Sequence, residues 1–140
     1  MLIKEQKIKF LMDSNPLTKQ TQEDLKIPEL DVVWYQLFEK RLDDDIHIKN
    51  INNRSLAHFK NTDILIIPLS LYFTFDDPIN VNGYFYAKTI AANNPNIKII
   101  ILSDLLEISE KHFKINLSEF YCCSFFEDDI LNLITKIKKL

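Results

Sequence analysis

The chain has a single glycine among 140 residues, and that scarcity excludes more than any motif suggests. Loops that cradle phosphate, of the GxGxxG kind or GxxxxGK followed by serine or threonine, need several glycines for tight turns and close backbone approach. Gly83 alone cannot build one, so nucleotide binding through such a loop is ruled out. Cysteine is nearly as scarce. Cys122 and Cys123 are adjacent and fit neither a disulfide framework nor a zinc pattern. The three histidines, His47, His58 and His112, share no ligand-like spacing with each other or with the cysteines, so no metal and no cofactor is expected. No apolar run reaches the length of a membrane span. The opening MLIKEQKIKF lacks the apolar core and cleavage site of a signal peptide. A net charge of −3, with lysines spread along the chain, leaves no footprint for nucleic acid. The expectation is a cytoplasmic protein of bacterial type, with neither a nucleic-acid nor a membrane partner.

What the chain does contain is ordinary for a globular domain: 46% apolar and 26% charged residues. Its length suits one domain over 1–140 with a core that needs no staples. Strand and helix patterns alternate along it. Lys7–Met12 reads as a strand that ends on the turn formers Asp13, Ser14 and Asn15. Asp31–Leu42 reads as a helix with Asp31 as N-cap and Trp34, Leu37, Phe38 and Leu42 on one stripe. Asp45–Ile51 alternates like a second strand, and Asn53–Asn61 follows as a short helix. Ile64–Ile67 is a buried strand stopped by Pro68, and a helix is expected around Gly83–Asn94. Ile97–Ser103 is a further buried strand, Glu107–Phe113 a short helix, Glu119–Phe125 a last strand and Glu127–Leu140 an amphipathic helix. Five such units predict a doubly wound α/β fold with a parallel sheet. The expected core is Ile8, Phe10, Leu65, Ile66, Ile99, Ile100, Ile101, Phe120 and Tyr121, covered by Leu37, Ile90, Leu131 and Ile134.

Four stretches in this order resemble the receiver domain of two-component response regulators. KIKFLMDSNPL resembles that family's first strand with its acidic pair, and NTDILIIPLSL the third strand with its phospho-acceptor. NGYFYAKTIAANNPNIKIIILSD resembles the following helix and fourth strand with its hydroxyl residue. NLSEFYCCSFFEDDILNLITKIKK resembles the fifth strand, which normally carries a Lys-Pro pair, and the final helix. The resemblance implies a flavodoxin-like, three-layer fold with five parallel strands in the order 2-1-3-4-5.

It also implies a dismantled pocket. The acidic pair falls on Asp13 and Ser14, the acceptor on Pro68, the hydroxyl on Ser103, the lysine on Cys123 and its proline on Ser124. The aromatic switch position falls on Phe120, and a glycine position on Asn116, a residue that tolerates left-handed backbone. Phosphoryl transfer to a carboxylate needs the carboxylate, a divalent cation and a counter-charge. Proline offers no nucleophile and a cysteine no cation, so phosphorylation at the usual position is excluded and no enzymatic activity is expected. Cys122 and Cys123 lie in a buried-looking aromatic strand without a nearby cation, which points to core thiols rather than reactive ones.

A domain so altered is expected to act by binding a protein partner, with a homodimer as companion expectation. Ile130 and Ile137 on the last helix form one candidate contact surface, and Tyr72, Phe73 and Phe75 form the other. Leu17–Leu30 and Tyr72–Asn82 read as insertions after strand ends, where loops tend to carry function. The central stretch also resembles nucleoside deoxyribosyltransferase-type and Toll/interleukin-receptor-type N-glycosidases, which attack the sugar with a carboxylate, commonly a glutamate opening that helix. Here the helix opens NGYFYAK with no glutamate, and Asp76 and Asp77 come too early for the pattern.

Overall fold

The structure is a computed structural model that describes residues 7–12, 20–21, 23–27, 30–34, 59–70, 81–103, 110–111 and 113–139. Among these, five strands form one parallel sheet: β1 (Ile8–Met12), β2 (Leu30–Trp34), β3 (Ile64–Pro68), β4 (Lys98–Leu102) and β5 (Tyr121–Cys123). Their order across the sheet is β2-β1-β3-β4-β5. Two long helices are described, α1 (Asn82–Asn93) and α2 (Glu127–Lys138).

The alternation of side chains along each strand divides the core in two. Leu11, Leu65, Ile67, Ile99 and Ile101 face one way and pack with Tyr84, Ala87 and Ile90 of α1. Ile8, Phe10, Ile64, Ile66, Ile100 and Leu102 face the other way and pack with Ile130, Ile134 and Ile137 of α2. β3 is buried along its whole length because it is covered on both faces, which explains its unbroken aliphatic sequence.

Which connection covers which face follows from chirality. Right-handed crossovers lie on opposite faces when the chain moves in opposite directions across a sheet. From β1 the chain moves outward to β2, and from there it moves only the other way, to β3, β4 and β5. Accordingly Leu25, between β1 and β2, packs on the α2 face. Phe59 before β3, helix α1, and Phe113 and Ile115 before β5 all pack on the α1 face. Thr21, itself buried, ties the β1–β2 connection to the start of α2 by donating its hydroxyl to the Phe125 carbonyl at 3.4 Å.

Helix ends are set locally. α1 stops where Asn94 precedes Pro95, since the residue before proline avoids helical backbone. The Asn94 side-chain amide then points its donors at the carbonyls of Phe59 (3.0 Å), Thr62 (3.3 Å) and Lys60 (3.4 Å), fastening α1 to the entry of β3. α2 carries Glu127, Asp128 and Asp129 in its first turn and Lys136 and Lys138 in its last, both favourable to the helix dipole.

Several expectations need correction. Asp31 does not cap a helix: Leu30–Trp34 is the second strand, parallel to β1 from Ile8↔Leu30 to Met12↔Trp34. The helical stripe read there ignored two β-branched residues, Val32 and Val33, and the need of β1 for a partner on its second edge. The strand expected at Asp45–Ile51 and the residue Leu37 lie outside the described residues. Leu17–Leu30 is not simply an added loop, because it supplies helical Gln20, Thr21, Glu23 and Asp24, buried Leu25 and the first residue of β2. Asn116 is extended (φ −116°), capping a short 3-10 turn at Leu117–Glu119, and among the described residues the left-handed one is Lys114 (φ 55°). Leu131 is 36% exposed rather than core, and Phe120 and Tyr121 are half-buried. No described helix is long and apolar enough to cross a membrane.

Candidate functional site

In an open parallel sheet, ligands bind beyond the carboxyl ends of the strands, at the point where strand order reverses. Here that point lies between β1 and β3, and Pro68 stands at it. The hydrogen-bond ladder shows why proline fits. Ile64 donates its N–H toward β1, to the Lys7 carbonyl at 3.1 Å, whereas Leu69 donates toward β4, to the Leu102 carbonyl at 2.9 Å. Alternation therefore aims the missing Pro68 N–H at β1, where pairing ends at Phe10↔Ile66. On the other side β3 stays paired through Pro68↔Leu102. The proline costs no bond the sheet makes.

The same edge gathers the neighbouring positions. Leu102 pairs with Cys123, and the Ser103 N–H donates to the Cys123 carbonyl at 3.0 Å. Pro68 and Cys123 thus end β3 and β5 level with Leu102, the last residue of β4, and Ser103 follows it by one residue. Ser124, next in line, turns the chain into α2: its hydroxyl accepts from the Phe126 N–H at 3.1 Å and donates to the Asp129 carboxylate at 2.8 Å.

Gly83 closes the edge from above the α1 face. Its N–H donates to the Leu69 carbonyl at 2.8 Å, drawing the first turn of α1 onto the end of β3. A Cβ at this position would lie 1.9 Å from the Pro68 oxygen. The lone glycine is therefore a close-approach residue.

Burial first, and the Glu110 carboxylate second, push the Cys122 thiol up to about 11. Burial, then Asp129, then Cys122 push Cys123 up to about 12. The two side chains point to opposite faces, Cys122 toward the α1 side and Cys123 toward the α2 side. Both are protonated at neutral pH, so neither is a ready nucleophile or metal ligand. Among the described residues no group of three or more His, Cys, Asp or Glu side chains could hold a metal ion. Asp13, Ser14, Tyr72, Phe73, Phe75, Asp76 and Asp77 lie outside the described residues.

Phe120 is half-buried and turned inward. Its ring meets Tyr84 of α1 edge-on, with centroids 5.9 Å apart. Tyr84 also meets Phe85 at 5.3 Å and carries the Lys88 ammonium 5.5 Å from its ring centre. Sequence reading missed Tyr84 as the partner of Phe120, because nothing in local pattern links residues so far apart.

Ile130 and Ile137, expected to offer a contact surface, do not. They are 0% and 3% exposed and pack against the sheet with Ile134. The helix repeat puts all three on the side that the sheet must cover, and none remains for a partner.

Comparison with known protein families, curated proteins and solved structures finds no match. The functional reading therefore rests on the residues themselves.

Proposed function

We propose that the chain is a receiver-like signalling domain of flavodoxin-like architecture that has lost the chemistry of phosphorylation and acts by binding another protein. The observation that carries this reading is the gathering of Pro68, Ser103 and Cys123 at the ends of neighbouring strands in a 2-1-3-4-5 sheet. A receiver resemblance assigns acceptor, hydroxyl and counter-charge to those three positions. Two of the three bear residues that cannot serve. Proline has no nucleophile, and a thiol held up to about 12 supplies no positive charge to an incoming phosphate. With no chemical input, a partner selects a standing conformation instead of responding to a switched one. The aromatic residues Tyr72, Phe73 and Phe75 are the contact this reading favours, since aromatics close together in sequence make natural anchors.

Intact-mass measurement after incubation with a small phosphodonor and magnesium tests the chemistry. The expected result is an unchanged mass. A phosphoryl adduct abolished by Asp13→Ala would overturn the reading. Partner capture should be lost in a Phe73→Ala/Phe75→Ala variant and indifferent to phosphodonor. Cleavage of a nucleoside or NAD that depends on Asp76 or Asp77 would replace the reading with a glycosidase.

A further inference from the structure

Lysines that stand far apart in the sequence meet at one end of the fold. The five strands are parallel, so all begin at one edge of the sheet, opposite the edge that carries Pro68. Lys7 immediately precedes β1, Lys60 lies in the turn that enters β3, and Lys98 opens β4. These three strands are neighbours, with Ile8, Ile64 and Lys98 at one level. Helix α2 runs back over the sheet after β5 and brings Lys136 and Lys139 to the same end. All five lysines are exposed, and among the described residues no ion pair engages any of them. Asp63, just before β3, accepts the Lys7 backbone N–H at 2.8 Å, and Glu119 lies farther out, before β5. The dipole of α2 accounts for the lysines at its end. It does not account for Lys7, Lys60 and Lys98, which stand at the starts of strands.

We infer that this edge docks an acidic segment of another protein, whose carboxylates pair with Lys7, Lys60 and Lys98. Neighbouring strands lie about 4.8 Å apart, so the three starts span roughly 10 Å, which an extended segment of about three or four residues crosses. The chain as a whole carries −3, but the field at this edge is local. The twelve residues of α2 hold its acidic first turn up to about 18 Å away, beyond the screening length of about 8 Å at physiological salt. What surrounds the lysines chooses among anionic partners. Among the described residues the exposed large apolar side chains are Phe85, Phe126 and Leu131, on the first turns of α1 and α2 or just before them, toward the opposite end. The lysine edge therefore has no ring on which a base could stack and no wedge to enter a bilayer. Ammonium groups alone, closely spaced, suit a short run of carboxylates. The inference is independent of the signalling reading, since it uses the edge opposite Pro68.

Fluorescence anisotropy of a short labelled oligoglutamate peptide, titrated with the full chain at low and high salt, is the test. Oligouridylate of equal charge and phosphatidylserine vesicles serve as the rival probes. The expected result is peptide binding that weakens as salt rises and is tighter than binding of either rival. Lys60→Glu and Lys98→Glu should each weaken it by about fivefold, because each loses one exposed pair and gains repulsion. Lys98→Gln should weaken it by less. Lys88→Glu, on α1 and away from this edge, changes the net charge equally and should leave the affinity within about twofold. Circular dichroism melts establish that each variant is folded. No peptide binding at low salt, an equal loss in Lys88→Glu, or tighter binding of the RNA or the vesicles would each overturn the inference.

Discussion

Replacing Gly83 with alanine sets helix propensity against packing, and the structure predicts which wins. In an unobstructed helix the change is favourable by up to about 1 kcal/mol, chiefly because alanine leaves the unfolded chain less conformational freedom to lose. At Gly83 the added Cβ would stand 1.9 Å from the Pro68 oxygen, 2.8 Å from the Leu69 oxygen and 2.9 Å from the Pro68 carbonyl carbon. Opening the shortest of these to 3.0 Å requires a shift of about 1.1 Å. All three atoms are backbone, so no side chain can rotate away. The end of β3 is itself held by the Leu69 N–H bond to Leu102, and the shift stretches the Gly83 N–H bond to Leu69. Overpacking of this kind costs about 1–3 kcal/mol, and the weakened hydrogen bond adds about 1 kcal/mol. Taking the upper part of that range for a backbone clash, the net expectation is a loss of about 2–3 kcal/mol, or a fall in Tm of about 7–10 °C for a chain of this size. Urea unfolding followed by circular dichroism measures it. Ala92→Gly, at an exposed site late in the same helix, serves as control and should cost about 1 kcal/mol or less. A Gly83→Ala protein as stable as the natural chain, or more stable, refutes the close approach of α1 to β3.

Other consequences are open to direct measurement. Ile130→Ala removes a fully buried side chain from the α2 face of the sheet and should cost about 2–4 kcal/mol by urea unfolding; a change under 0.5 kcal/mol, as expected of a surface site, would show that α2 does not pack there. The thiols should react with a disulfide reagent at pH 8 roughly 100-fold more slowly than in the unfolded chain, since Cys122 at about 11 and Cys123 at about 12 leave little thiolate. Both folded values lie above the ordinary 9, so this contribution to stability is complete below pH 9 and is lost as pH rises through 11 to 12. Stability that climbs across that window would contradict buried, neutral thiols.

The α/β class, all three inner strands and both long helices were legible from sequence. Ile64–Ile67 announces itself because a strand buried on both faces must be apolar throughout, and Ile97–Ser103 and Lys7–Met12 are mostly apolar runs with lysine near their starts. The Glu127–Leu140 pattern shows its helix because one face repeats every three or four residues. At the site, Pro68 and Ser103 were legible as strand ends, whereas Cys123 was read inside Glu119–Phe125 and only the structure ends the strand there. Other features depended on contacts between distant parts of the chain. Leu30–Trp34 carries a pattern compatible with helix, and only pairing with β1 makes it a strand. The apolar residues of α2 suggested both a core and a docking surface. The position of the sheet decided that Ile130, Ile134 and Ile137 belong to the core and Leu131 to solvent. One glycine in 140 residues is a fact of sequence, but its meaning comes from the 1.9 Å that a Cβ would leave to Pro68. Periodicity records which side of an element is apolar, whereas what covers that side, and how closely, is set by the assembled sheet and helices.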